Sequence, residues 1–524
     1  MHVLSAAEMQ TCDRLTTERF GVPSIDLMRA ASAAVAAFAR RQFPLVRRVT
    51  VVCGCGNNGG DGGKGGGDAA VAWRELTSPA HWLIHIIETP EDLAGHKAAL
   101  EADLILDAVV GTGFKPPLKG LAAAALEWLK ASKAPILAVD LPSGWPADAT
   151  TATVAGPVWP ADAVITFTAP KPAHVFGQLT RRWSQPIVVA PIGSPEEAMV
   201  SALGLHWTGS ALALTQTRRT SAANKGNYGH VLIIGGSVGK SGAPAMASLA
   251  ALRAGAGLVT AAVPAPVLPL VAAIAPELMT FPLAASLAGC ISAENLAPEV
   301  LAALTAGMTV LAIGPGLGKD PETVKFTTGL LSATKMPAVI DADALNILAA
   351  KPVLLAKLAK GRTLVLTPHP GEMARLAGIT TAEVQANRLE VARNFAQRTR
   401  VTLVLKGART LVAHPDGRVA INSTGNPGMA KGGSGDLLTG LIAGLLAQYP
   451  ADAARAVEAA VYLHGLAADL AVRAADEHTL LATDSLGQLA RAFRFCANGP
   501  NGYLWLQGLP ADTVPAAALH EATR

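Results

Sequence analysis

The sequence predicts an α/β protein of two doubly wound domains in tandem. Three observations carry this. Short β-branched runs that end in glycine or an acidic residue alternate with helical periodicity. The series occurs twice along the chain, and glycine-rich loops follow strand ends in both halves. The 524 residues allow two to four domains at roughly 150 residues each. Hydrophobic residues make up 50% and charged residues 16%, below the roughly 25% charged of an average globular chain. That balance excludes a disordered chain and suits sheets covered on both faces. The 51 glycines and 35 prolines show no G-X-Y period, which excludes collagen.

In chain order, Met1–Glu8 lead to Asp13 and Arg14 before any apolar run of signal-peptide length, so no secretory leader is expected. A helix is predicted over Ser24–Arg41. Buried strands follow at Val49–Cys53, Leu104–Asp107, Ile136–Asp140, Ala163–Thr166 and Ile187–Val189, with a helix at Leu121–Ala131, and the block closes near Pro195. His81 and His85 are four apart, as in a helical zinc pair, but His81–Ile87 reads as strand and no third ligand is evident. The first domain is set at 1–215, with the joint around Ser201–Thr220.

The second series has strands at Val231–Ile234, Leu258–Val263, Thr309–Ile313, Ala338–Asp341, Leu364–Leu366, Leu403–Lys406 and Leu411–His414. Its helices include Ala243–Ala254, Gly371–Leu376, Thr381–Arg398, Gly435–Ala447 and Ala453–Arg473. The uncharged run Ala254–Pro276 is long enough to span a bilayer, but Gly255, Gly257, Pro264, Pro266, Pro269 and Pro276 break it into strand and loops. This domain is set at 220–495. The Gly-, Pro- and Ala-rich tail 496–524 shows no strong pattern and is expected to be loosely attached.

Net charge is +4, spread thinly, so nucleic acid is excluded as a partner. Five cysteines without a zinc-like repeat favour a reduced, cytoplasmic chain.

The first chemical signal is Gly54-Cys55-Gly56-Asn57-Asn58-Gly59-Gly60-Asp61-Gly62, directly after a strand. Such a turn brings backbone amides close to an anion or ribose. Asp107, before Gly111-Thr112-Gly113-Phe114, and Asp140, in Asp140-Leu141-Pro142-Ser143-Gly144, also fall at strand C-terminal ends, where open α/β sheets bind ligands. Oxygen-only ligands there suit a hard cation rather than zinc.

These three segments resemble the YjeF N-terminal family of NAD(P)H-hydrate epimerases, over roughly residues 1–215. The resemblance implies a Rossmann-like three-layer αβα domain that interconverts the R and S forms of the hydrated cofactors NADHX and NADPHX. By motif, Asn57, Asn58, Gly59, Gly60 and Asp61 would hold substrate, as would Gly111, Thr112, Gly113, Phe114, Lys115, Pro116 and Pro117. Asn58, Asp107 and Ser143 would bind K⁺. Asp140 would contact substrate and act as the acid/base group, a role worth roughly 10²–10⁴ in rate. Two segments depart from the family pattern. Gly63–Asp68 stand where a helix usually begins, and Arg29-Ala30 where Glu-Asn is usual.

The densest signal is Asn422–Leu437, which opens the apolar helix with Lys431-Gly432-Gly433-Ser434-Gly435-Asp436. Successive glycines let amides point at one oxyanion, with a helix N-terminus behind them. Asp436 in that first turn reads as a hydroxyl-activating base for phosphoryl transfer rather than as a dipole cap.

With Asn224–Gly229, Gly314–Gly318, Asp341–Asn346, Thr367–Glu372 and Lys406–Thr410, this segment resembles the YjeF C-terminal family of ribokinase-like, ADP/ATP-dependent NAD(P)H-hydrate dehydratases, over about 220–495. By motif, Ala243, Gly316, His369 and Asp436 would contact the hydrated nicotinamide. Lys406, Gly407, Ala408, Arg409, Thr410 and Gly435 would bind ADP. The implied reaction phosphorylates the C6 hydroxyl of the S epimer and eliminates it, leaving AMP and phosphate. Asp341 and Asp343, two apart on a predicted strand, either place Mg²⁺ or cap strand and loop. A homo-oligomer and no membrane attachment are expected.

Two rival readings remain. One is a kinase of thiazole- or pyrimidine-type precursors. The other is a non-catalytic first domain serving as a scaffold or regulator.

Overall fold

The computed structural model describes residues 1–53, 83–87, 89–95, 101–497 and 502–510. It divides into two compact units, Met1–Leu205 with the segment from Cys496 onward, and His206–Phe495.

The first unit is built on β1 (Arg48–Cys53), β2 (Leu83–Ile87), β3 (Leu104–Ala108), β4 (Ile136–Val139), β5 (Ala163–Phe167) and β6 (Ile187–Ala190). These strands pair in parallel in the order β6-β5-β4-β3-β1-β2. Their apolar runs are continuous because both faces are covered. One core sets Phe38 and Val35 of the helix Ser24–Gln42 against Val49, Val51, Leu104, Leu106 and Ile165. The other sets Ala122, Ala125 and Leu129 of the helix Gly120–Leu129 against Val52, Ile105 and Ile136. The reversal in strand order lies at β1/β3, which places the ends of β1, β3 and β4 at one edge.

The second unit is a ten-stranded sheet. In chain order its strands are β7 (Leu205–Trp207), β8 (His230–Ile234), β9 (Leu258–Pro264), β10 (Met279–Leu283), β11 (Val310–Ile313), β12 (Ala338–Ile340), β13 (Leu364–Leu366), β14 (Thr402–Leu405), β15 (Leu411–Ala413) and β16 (Val419–Ile421). The spatial order is β10-β9-β8-β11-β12-β13-β14-β15-β16-β7, with antiparallel pairing at β14/β15 and β15/β16. The helix Ser434–Gln448 packs against Gly242–Ala254. A Cβ on Gly440 would stand 2.0 Å from the Ala247 carbonyl oxygen, so only glycine allows that approach.

Four expectations are corrected. The boundary at 215 falls at 205, because Leu205–Trp207 joins the second sheet through a pairing that no local pattern announces. The tail is not loose in its described part. Leu504–Gln507 forms β17, antiparallel to β6, and Tyr503 and Trp505 meet the Phe38 ring edge-on at 5.9 and 6.2 Å. The helix expected over Thr381–Arg398 is two, Thr381–Ala386 and Arg388–Thr399, broken at Asn387 with φ −132° and ψ 43°. The periodicity runs through that break, but an Asn side chain competes for helix backbone groups. Asp341 and Asp343 do not share a strand face. β12 ends at Ile340, Asp341 stands at the N-cap position of the helix Ala342–Ala349 without a side-chain bond to it, and Asp343 sits in its first turn. No helix among the described residues is long and apolar enough to cross a membrane.

Candidate functional site

In the first unit the strand ends bring Asp107, Ser143, Thr112 and Asp140 together. Asp107 closes β3 and is fully buried. It accepts hydrogen bonds from the Ser143 hydroxyl at 2.5 Å, the Ser143 amide at 2.7 Å and the Val109 amide at 3.4 Å. Among the described residues, no Lys, Arg or His side chain bonds to it. Burial pushes its carboxyl up to about 7.

Asp140 follows β4 in the left-handed region at φ 66°, a conformation that costs a non-glycine residue on the order of 1 kcal/mol. The surroundings fix it there. Its amide donates to the Ile165 carbonyl at 2.7 Å, and its carbonyl accepts from His174 Nε2 at 2.7 Å. His174 Nδ1 accepts the Lys171 amide at 2.9 Å, which sets the tautomer, and burial lowers this imidazole to about 4. The Asp140 carboxylate accepts from Lys171 Nζ and Thr166 Oγ1, each at 2.8 Å, and from the Thr112 amide at 3.2 Å. Burial alone would raise Asp140, but the Lys171 charge outweighs it and keeps the carboxyl below its usual range. The last bond ties the loop Gly111–Pro117 to Asp140. Asn57, Asn58, Gly59, Gly60 and Asp61, with the departure at Gly62–Gly67 and with His81, lie outside the described residues.

Lys171 and His174 were missed by the sequence reading. A lysine between prolines in Ala169-Pro170-Lys171-Pro172 was the available signal, since Pro at the first helical position starts the short helix Pro172–Phe176.

In the second unit the centre is an ion pair. Asp341 is 1% exposed, and its Oδ1 accepts from Lys406 Nζ at 2.9 Å while Oδ2 accepts from Thr439 Oγ1 at 2.7 Å. Burial raises Asp341, and Lys406 more than offsets that. Gly435 lies against this pair. A Cβ there would stand 3.4 Å from Lys406 Nζ and 3.8 Å from Asp341 Oδ2. Asp436, next in the helix's first turn, is raised to about 6, first by burial and then by the Asp341 charge, against the pull of Lys406. His369 caps the helix Pro370–Ala377. Its Nδ1 accepts the Gly371 amide at 3.0 Å, and Glu372 reciprocates on the His369 amide at 2.9 Å. Burial, first among its causes, lowers His369, so it stands as a neutral imidazole. Gly316 packs against Ala243 and Lys240, and its carbonyl accepts from Ser237.

The loop Lys406–Thr410 is held from behind. Arg388 donates to the carbonyls of Leu405, Lys406 and Arg409 at 3.3–3.4 Å. Gly407 and Ala408 are exposed. The Arg409 guanidinium turns inward to the Ser423 carbonyl at 3.2 Å, and burial lowers its pKa to about 10. Its charge is therefore turned away from the outer side of the loop. Asp343 accepts the Gly318 amide at 2.9 Å, with Lys240 Nζ at 3.7 Å. Lys406 and Thr439 each take one lone pair of an Asp341 oxygen, and Asp343 is turned to the Gly318 amide, so the two carboxylates are engaged with different partners.

Three supporting residues had no local signature. Thr439 and Arg388 are two of them. Asp469 is the third, and it accepts from the Gly425 amide and Asn426 Nδ2, both at 2.9 Å, anchoring the loop before the helix Ser434–Gln448.

Residues 231–490 match the family described as NAD(P)H-hydrate dehydratase, and residues 24–66 and 64–173 match the YjeF-related protein N-terminus. The chain is 41% identical to a bifunctional NAD(P)H-hydrate repair enzyme of Moorella thermoacetica, covering 94% of this chain and 97% of that protein. It is 32% identical to one from Thermofilum pendens, covering 94% and 96%. Among solved structures, an ADP/ATP-dependent NAD(P)H-hydrate dehydratase from Bacillus subtilis, co-crystallised with ATP/Mg²⁺, is 33% identical over 55% of this chain and 97% of that one, with a TM-score of 0.46.

Proposed function

The chain belongs to the family of bifunctional NAD(P)H-hydrate repair enzymes, and on that premise we propose how its residues divide the work. The first unit epimerises R- and S-NAD(P)HX. The second dehydrates the S form to NAD(P)H at the expense of ADP, giving AMP and phosphate. The observation that carries the second half is the Lys406–Asp341 pair packed against Gly435, with Asp436 raised to about 6 beside it.

Asp436 takes the proton of the substrate's C6 hydroxyl as phosphoryl transfer begins, and a base with a pKa near the working pH is suited to that. The amides of Gly432–Gly435 and the helix start stabilise the transferring group, worth on the order of 3 kcal/mol per donor. Lys406 supplies positive charge at the same point, while Asp341 and Thr439 fix its position. Gly407, Ala408 and Thr410 hold ADP through the exposed backbone of their loop. His369, Ala243 and Gly316 line the nicotinamide side. Mg²⁺, which would neutralise phosphate charge, is assigned to the nucleotide rather than to Asp341.

In the first unit Asp140 and Lys171 form the proton-transfer pair, with Gly111–Pro117 over the substrate. A monovalent cation fits Asp107. Among the described residues, this buried carboxylate has one hydroxyl and two amides as donors and no counter-charge, and K⁺ held with Ser143 and Asn58 would supply one. A cytoplasmic location is part of this reading, supported by the free thiols of Cys12, Cys290 and Cys496. A stand-alone precursor kinase is not favoured, since relatives matching along nearly the whole chain are named bifunctional NAD(P)H-hydrate repair enzymes.

The test is mixed R/S-NADHX with ADP and Mg²⁺, following the NADH absorbance band. Full recovery requires both units. A stall near half shows the epimerase inactive, and no recovery with either ADP or ATP overturns the assignment.

A further inference from the structure

The second unit holds a cluster that neither reaction uses. His206 lies in β7, His414 just beyond β15, and Glu458 in the helix Ala453–Val472. β7 and β15 flank β16, so the two imidazoles reach the helix from either side of one strand. His206 Nε2 stands 2.7 Å, and His414 Nε2 2.9 Å, from the same Glu458 oxygen, Oε1. The rings stack with centroids 6.4 Å apart and planes 13° from parallel. The three ligand atoms all lie within 4.8 Å of one another.

The carboxylate at the centre of the cluster is buried. Glu458 is 2% exposed, and the hydrogen bonds recorded for its carboxylate come from these two imidazoles. Glu458 Oε1 and the two imidazole nitrogens converge on one point, and each can offer a lone pair to a cation there. Two imidazole nitrogens and one carboxylate oxygen are borderline ligands that select Zn²⁺ over Mg²⁺ or Ca²⁺. With bonds of about 2.0–2.1 Å, tetrahedral ligand atoms sit roughly 3.3 Å apart, so each imidazole nitrogen needs to draw back from Glu458 Oε1 by about half an ångström. The His206 side chain is 14% exposed against 3% for the other two, which leaves that side open to a water in the fourth position.

We propose that His206, His414 and Glu458 form a Zn²⁺ site with three protein ligands and one solvent position, tying β7 to the helix Ala453–Val472. The experiment uses the untagged full-length chain, stripped with a chelator, dialysed against ZnCl₂ and analysed for bound metal, with calorimetric titration alongside. Wild type should retain one zinc ion per chain, and its melting temperature should rise with zinc. His206→Ala, the most exposed of the three and the least disruptive to folding, should weaken zinc binding by about 100-fold or more, and His206→Cys should restore it. Co²⁺ loaded into wild type should give the intense visible bands of four-coordination, absent from folded His206→Ala. No zinc retained by wild type, or equal stoichiometry in folded His206→Ala, overturns the proposal.

Discussion

Lys406 Nζ stands 2.9 Å from Asp341 Oδ1, and the pair packs against Gly435 in the first turn of the helix Ser434–Gln448. One ion pair therefore joins the end of β12, the loop after β14 and the start of the helix that carries Asp436. Lys406→Met should leave the Asp341 carboxylate buried without a cation, a loss of about 3–5 kcal/mol. Urea unfolding checks this, and Asp341→Asn/Lys406→Met should recover part of the loss. If the double variant is no more stable than Lys406→Met alone, the pair is not what holds these elements together.

Asp436→Asn should lower dehydration by about 10²–10⁴-fold and leave R/S exchange unchanged. The pH profile carries the sign. A base raised to about 6 is active when ionised, so kcat/KM should climb roughly tenfold per pH unit up to about 6 and level above it. A profile flat from pH 5 to 8, with chemistry shown to be rate-limiting, would remove Asp436 as the base.

Asp140→Asn and Lys171→Met should each abolish epimerisation without changing dehydration of purified S-NADHX. The folded Asp140 carboxyl is depressed, so the stability it contributes is present above its unfolded pKa and is lost as pH falls below that value. Asp140→Asn should accordingly flatten the acid limb of a stability–pH curve measured below about pH 4.

Asp107 behaves oppositely. Its folded pKa is raised to about 7, so its protonated form favours folding, and that contribution is lost as pH rises from about 4 to about 7. K⁺ should therefore raise the melting temperature more at pH 8 than at pH 5, and Asp107→Asn should abolish the difference. Equal shifts at both pH values, or in both proteins, would argue against a cation at Asp107.

Truncation after Asn498 should strip β17 from the edge of the first sheet and expose the face of Phe38 that Tyr503 and Trp505 cover. Epimerase activity and solubility should fall while dehydratase activity persists, which assays of the two half-reactions check.

Periodicity and glycine punctuation were enough to read two α/β domains, the positions of most of their strands, the strand ends where Asp107 and Asp140 stand, and the helix start that carries Asp436. Those signals are local, because a strand's apolar run and a helix's first turn are set within a few residues. What tertiary structure alone decided lies at long range. Lys171 reaches Asp140 across 31 positions, and Lys406 reaches Asp341 across 65. β17 returns to β6 from the far end of the chain, and β7 leaves its sequence neighbours for the second sheet. The same distance hid the meeting of His206, His414 and Glu458. A buried charge finds its partner through the packing of whole sheets and helices, which no window of sequence contains.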